Sequence, residues 1–226
     1  MAEPSNRELI LERALTLFNE QGIEGVGVRE LARDLGLSPG NVSYHFKRKD
    51  DLVVALAQQL NELNNRTYDL EHPAGDVAEW MERYAQLFRN QWAYRALALA
   101  LPSLMMSSEP LRQHYDAVQE QRRGNHAQVL RSLERAGQLK RVSAKTRATL
   151  VGSIALIGRF WLADHMVSYP HEPLERVIRH VQSLLANVLL PHATPAGQRA
   201  LAPFCGRALS LDRRRASSCA DAHPPD

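Results

Sequence analysis

Residues 38–46 read Ser-Pro-Gly-Asn-Val-Ser-Tyr-His-Phe, and Lys47, Arg48 and Lys49 follow at once. The stretch gathers a carboxamide, a phenol, an imidazole and two hydroxyls beside three cations, which is the chemistry needed to read a base edge and hold a phosphate. Asn41 can bond bidentately to an adenine edge, Tyr44 can meet a thymine methyl with its ring or a phosphate with its hydroxyl, and Pro39 can make apolar contact with a base. Ser38, Ser43, His45, Lys47 and Lys49 are candidate phosphate donors, and Arg29 and Arg33 project from the preceding segment. The charge run alone is weak evidence, because Asp50 and Asp51 partly cancel it and such runs are usually solvated turns.

Catalytic chemistry finds no comparable cluster. There is no Gly-rich phosphate loop, no His pair or Cys pair at metal-ligand spacing, and no nucleophile in a recognisable turn. His171, His180 and His192 are scattered and read as surface histidines. Cys205 and Cys219 offer no disulfide framework and fit a reducing compartment. The expectation is therefore a protein without enzymatic activity, cofactor or metal. A small-molecule cavity would draw on the aromatic and methionine residues of the middle of the chain. Most of these suit core packing, and Tyr84, Trp92 and His165 are the candidate lining residues, because a buried polar tip needs a partner that a ligand can supply.

The elements that must position these groups are helices. Ser5 and Glu8 have capping-box spacing, and Ile10, Ala14, Leu17 and Phe18 recur on one helical face until Gly22. A second short helix buries Leu31, Ala32 and Leu35 and stops at Gly36. Ser38 then caps a third, with Pro39 in the first helical position and Val42 and Phe46 turned inward, so that Asn41, Tyr44 and His45 face elsewhere. Two helices joined at Gly36-Leu37 make a helix-turn-helix. From Asp50 a long amphipathic helix follows. Beyond the Pro/Gly hinge at 71–75, helical patterns cover 76–91, 92–106 with a break at Pro102, 109–137, 143–167 and 173–190. No alternating strand pattern occurs, so the fold class is all-α. Residues 1–50 are expected to hold the helix-turn-helix, 51–190 a second helical domain, and 191–226 a disordered tail rich in Pro, Ala, Ser and Arg.

The 226 residues, 44% hydrophobic and with a formal charge of +3, suffice for a sizeable core and imply little about partners by charge. The N-terminus lacks the pattern of a signal peptide, and the apolar run 96–106 is shorter than the roughly 20 residues a bilayer requires. A soluble, cytoplasmic protein without membrane association is expected.

Residues 10–53 resemble the DNA-binding domain of TetR/AcrR-type transcriptional regulators, in the small-residue turn at Gly36, the helix ending in Tyr44-His45-Phe46, and Lys49 with Leu52 after it. Gly27 stands where many such proteins carry a capping Thr, and Ser43 where a Tyr often precedes the aromatic-His-Phe trio. The resemblance implies a homodimer whose two recognition helices enter successive major grooves, with Lys49 holding a phosphate. It also implies a C-terminal domain that binds an unknown small ligand and forms the dimer. The stripes expected to pair are Leu150, Ile154, Ile157 and Trp161, with Leu174, Val177, Ile178, Val181, Leu184, Leu185 and Val188; Gly152 and Gly158 allow close helix approach. The expected function is a repressor that occupies a palindromic operator and is released by a small apolar or amphipathic ligand. The alternatives are a helical small-molecule-binding protein and a nonspecific architectural DNA binder.

Overall fold

The computed structural model describes residues 5–68, 74–206 and 209, and among these the chain is helical, with one isolated bridge between Leu139 and Ala193. Ten α-helices follow in order: α1 Asn6–Gln21, α2 Val28–Asp34, α3 Pro39–His45, α4 Lys49–Tyr68, α5 Val77–Ala93, α6 Arg95–Ser107, α7 Glu109–Arg135, α8 Ala144–Ser168, α9 Leu174–Leu189 and α10 Pro195–Leu201. Their starts are written in the sequence. Ser5 and Glu8 form the reciprocal capping box, and Ser38, Asp76, Ser143 and Thr194 each accept a backbone N–H three residues on.

Two apolar cores result. The first joins Ile10, Phe18, Leu31, Val42, Phe46, Leu52 and Leu56 of α1–α4 and extends to Ala96, Leu97 and Leu104 of α6. The second joins Trp80, Met81, Phe88, Leu130, Leu133, Ile154, Leu162, Ile178 and Leu185 from α5 and α7–α9. Helix α4 contributes to both: Leu52 and Leu56 sit in the first, Tyr68 in the second. Asn19, near the end of α1, adds a polar tie. Its Nδ2 donates to the Ala93 carbonyl at 2.8 Å, its Oδ1 accepts from the Ala96 N–H at 3.1 Å, and its own carbonyl accepts from Arg95 Nη2 at 3.3 Å.

Four expectations are corrected. Helix α6 runs through Pro102 without a break; proline is tolerated here by a short, apolar helix packed on both cores. The α8 and α9 stripes expected to pair between chains are largely spent inside this one, with Leu150, Ile154, Trp161, Val177, Ile178, Val181 and Leu185 buried. A different face of α8 is left open: Gly152, Leu156 (58% exposed), Phe160 (42%), Ala163 and Val167 (83%), at spacings of four, four, three and four. By length and composition α8 could cross a bilayer, but Arg147 is tied to Glu134 and Arg159 to Gln119 across α7, as in a packed soluble helix. His180, expected at the surface, is buried and its Nδ1 accepts the Leu209 N–H at 2.9 Å.

The fourth correction concerns the tail. Up to Gly206 it is folded: a 3-10 turn at Leu190–His192 leads into α10, and Ala193, Leu201 and Phe204 are buried against the second core. Residues 207, 208 and 210–226, Cys219 and Arg213–Arg215 included, lie outside the described residues, as do 69–73 of the hinge. The attachment is polar as well as apolar. The Gln138 carbonyl accepts the Thr194 N–H at 3.0 Å, the Gly137 carbonyl accepts the Thr194 hydroxyl at 2.7 Å, and the His192 carbonyl accepts the Lys140 N–H at 2.8 Å. Gly197 lies so close that a Cβ there would stand 2.0 Å from the Gln138 carbonyl oxygen. Gly197→Ala is therefore expected to destabilise the fold by about 2 kcal/mol or more through backbone overpacking. Gly124→Ala, in mid-α7 with open space around it, should instead stabilise by about 0.5–1 kcal/mol through helix propensity. Urea unfolding of the two variants checks the contrast.

Candidate nucleic-acid interface and enclosed cavity

The α2–α3 unit is built to expose its polar side chains. Gly36 takes φ +67, which lets the Leu37 N–H return to the Ala32 carbonyl at 2.9 Å and turns the chain sharply into α3. Ser38 Oγ accepts the Asn41 N–H at 3.1 Å and fixes the start of α3. Val42 and Phe46 are buried on Leu31 and Ala32, so the opposite side must face out. There Tyr44 is 84% exposed, an unusual state for an unpartnered phenol ring, and meets only the edge of His45 at 5.1 Å. Asn41 is half-buried with its side-chain amide unbonded, while Ser38, Pro39 and Ser43 are exposed. Arg29, Arg33, Lys47 and Arg48 are exposed and form no ion pair among the described residues.

Two ties hold this surface onto α1. Arg13 pairs bidentately with Asp34, its Nη2 at 2.8 Å from Oδ1, and the Arg7 guanidinium sits 5.2 Å over the Phe46 ring. Asp34 is thereby neutralised by a partner outside the α2–α3 unit. Lys49 is placed differently from the phosphate-holding role its position suggests. Its Nζ donates to the Ile23 carbonyl at 3.0 Å and the Glu24 carbonyl at 3.4 Å, and lies 3.5 Å from the Glu24 carboxylate. The lysine clamps the α1–α2 loop to the start of α4, where Asp51 accepts the Arg48 N–H at 2.9 Å.

A cavity of about 210 Å³ lies among α4, α5, α6, α7 and α8. Its apolar walls come from Leu60, Leu87, Phe88, Leu97, Leu101, Met105, Leu111, Val118 and Ile154. Its polar groups are Asn61, Asn64, Tyr68, Tyr84, Gln91, Tyr115, Gln119, Arg122, His126 and Arg159, and no carboxylate lines it. Tyr68 donates to Tyr84 at 3.4 Å, and the Tyr84 hydroxyl lies 3.0 Å from His126 Nδ1. Burial raises both phenols above their ordinary range, Tyr84 strongly. Burial first and the Arg122 charge second push His126 down to about 4, so at neutral pH the imidazole is uncharged and shares a hydrogen bond with the Tyr84 hydroxyl.

Of the three candidate ligand residues, Tyr84 lines the cavity and Trp92 and His165 do not. Tyr84, Phe88 and Gln91 share the inner face of α5, and Trp92, one residue on, is rotated away from it. There it stacks at 5.5 Å on His165, which lies two turns beyond Gly158 on α8, and the Arg95 guanidinium sits 5.3 Å over its ring. The polar residues of α7 went unread. Tyr115, Gln119, Arg122 and His126, at spacings of four, three and four, are a helical stripe that the sequence displays openly.

His126 gives a pH prediction. The unfolded imidazole takes its proton near 6.5 and the folded one only near 4, so between those values the unfolded state binds more protons and stability falls as pH falls. Wild type should lose about 2 kcal/mol from this group between pH 7 and pH 5, and His126→Asn should lose correspondingly less, as read from urea midpoints at the two pH values.

Comparison with known proteins was informative over most of the chain. A family model described as "Bacterial transcriptional repressor" (TetR) matches residues 53–201, and one described as "Bacterial regulatory proteins, tetR family" matches residues 10–56. The class D tetracycline repressor protein of Escherichia coli is 32% identical over 121 residues, 52% of each chain. The match thus spans about half the length of such curated relatives. Among solved structures, a TetR-family transcriptional regulator from Marinobacter aquaeolei shares the fold with a TM-score of 0.82 at 24% identity, covering 91% of this chain and all of that one. A regulator from Saccharomonospora viridis, solved in complex with choline, has a TM-score of 0.65 at 18% identity, covering 83% of this chain and 97% of that one.

Proposed function

The chain belongs to the TetR family of bacterial transcriptional repressors, and from that premise we propose that it is a homodimeric, ligand-released repressor of a palindromic operator, acting in the cytoplasm. The observation that carries the DNA-reading part is the group of exposed Tyr44, Lys47 and Arg29 with half-buried Asn41 on a capped α2–α3 unit. Between residues 28 and 49 five cationic side chains stand against Glu30 and Asp34, and Asp34 is already paired with Arg13. Asn41 and Tyr44 read bases, while Ser38, Pro39, Ser43, His45, Lys47 and Arg29 dock the backbone. Lys49 acts by setting the angle between this unit and α4.

Dimerisation is assigned to the open α8 face. Gly152, Leu156, Phe160, Ala163 and Val167 form an exposed apolar stripe of small and large residues, and Leu184 of α9 is exposed at 38%. A second copy meeting the same face gives a two-fold, self-complementary contact. Two α3 helices so paired have to stand about 34–36 Å apart to enter successive major grooves.

Release follows from the shared elements. Helices α4 and α6 each present one side to the cavity, through Ala57, Leu60, Leu101 and Met105, and another to the first core, through Leu52, Leu56 and Ala96. A molecule that enlarges the cavity moves both against α1, and Asn19 transmits the shift of α6. The effect on operator affinity is bounded by the ligand's difference in affinity for the two dimer shapes.

The test is selection from a random duplex library with the purified protein. An enriched inverted repeat with half-sites one helical turn apart, or a multiple, supports the reading; enrichment of no sequence would leave only nonspecific binding and overturn it.

A further inference from the structure

The cavity's charge pattern identifies the class of molecule it takes. Elsewhere in the C-terminal domain Arg89, Arg112, Arg147 and Arg176 each pair with a glutamate, while Arg123, Arg131, Arg135, Arg179 and Arg199, which pair with none among the described residues, are exposed to solvent. Arg122 and Arg159, the two that line the cavity, have no carboxylate partner among the described residues. Arg122 Nη2 donates to the Asn61 amide oxygen at 2.8 Å and its guanidinium lies 4.7 Å over the Tyr68 ring. Arg159 Nη2 donates to Gln119 at 2.8 Å and stands 5.9 Å from the centre of the Tyr115 ring. Burial lowers the Arg122 pKa, and the phenols of Tyr68 and Tyr84 oppose that shift without cancelling it. A half-buried cation so placed is completed by a ligand that brings the missing charge.

We propose that the cavity binds an organic anion: a molecule with an apolar body and a single carboxylate or equivalent acid group, the acid seated on Arg122 and the body along Leu60, Leu101 and Met105. A cationic ligand is disfavoured because the ring faces that would hold it, Tyr68 and Tyr115, are already occupied by the protein's own guanidinium groups. His126, uncharged at neutral pH, adds no cation beside Arg122, so one negative charge answers Arg122, while Arg159 keeps its bond to Gln119. Guanidinium geometry further suits a planar carboxylate, which can take two parallel N–H bonds.

The inference rests on the cavity being the effector site, and its test needs no DNA. Three acids are compared with their alcohols by calorimetric titration of the full-length protein at neutral pH: decanoate with 1-decanol, 4-phenylbutyrate with 4-phenylbutanol, and 1-naphthaleneacetate with 2-(1-naphthyl)ethanol. At least one acid is expected to bind once per chain, roughly tenfold or more tighter than its alcohol. Arg122→Gln should erase that preference and leave alcohol binding unchanged, whereas Arg122→Lys should retain part of it. Alcohols binding as well as acids in every pair, no acid binding at all, or a preference untouched by Arg122→Gln would each overturn the proposal; the comparison within wild type stands even if the variant fails to fold. An acid that binds as described yet leaves the operator complex intact would sink the effector reading and spare this one.

Discussion

Replacing Leu156 and Phe160 together by glutamate is expected to give a folded monomer near the 25.4 kDa chain mass and to cost about a thousandfold or more in operator affinity. Both side chains lie on the open face of α8, one turn apart and away from the intrachain core, so the substitution removes little packing within the chain. In the proposed dimer, the same two positions on each copy would face one another across a two-fold axis, and four carboxylates would be brought together in a desolvated contact. Loss of the pair leaves each α3 to bind a half-site alone. Light scattering and duplex titration read the two consequences separately. A variant that remains dimeric would move the interface elsewhere; a wild type that is itself monomeric would remove the basis for palindrome recognition.

Asn41→Ala is expected to weaken operator binding by about 1–3 kcal/mol per half-site and to relax selection at one base pair in each. The melting temperature should hardly move, since the side-chain amide makes no intramolecular bond and its backbone N–H keeps the Ser38 cap. Lys47→Ala is the control. Lys47 is exposed and unpaired, so its loss should weaken all duplexes alike and lower the salt slope by about one unit. Lys49→Ala, by contrast, should lower thermal stability as well, because it frees the Ile23 and Glu24 carbonyls that its ammonium ties down. Equal effects of Asn41→Ala and Lys47→Ala on operator and random DNA would show that Asn41 docks the backbone and reads nothing.

Local signals were legible wherever a cap or a period carries its own physics. Ser38-Pro39, Ser143 and Gly36 announce helix ends through backbone geometry alone, and the helix boundaries follow them closely. Thr194-Pro195 carries the same signal as Ser38-Pro39, yet it sits in a stretch whose composition reads as unstructured. What folds that stretch is nonlocal: the carbonyls of Gly137 and Gln138, more than fifty positions earlier. The cavity was half legible for a similar reason. Aromatic content pointed to Tyr84, but whether a residue faces the void or the neighbouring helix depends on rotation, and this separates Gln91 from Trp92. The α8 face failed in the opposite sense: apolar spacing marks every buried stripe alike, and only the folded chain shows which one its own helices have already covered.

Helix α4 belongs to two cores at once, and this limits how the protein can be recombined. A chimera joined at the nominal boundary near residue 50 would transplant a recognition head without Leu52 and Leu56, the side chains on which that head is packed, and without the α6 surface that meets Asn19. A workable graft has to carry the first two turns of α4 with its matching stretch of α6, so the head of this protein is inherited together with part of the helical body behind it.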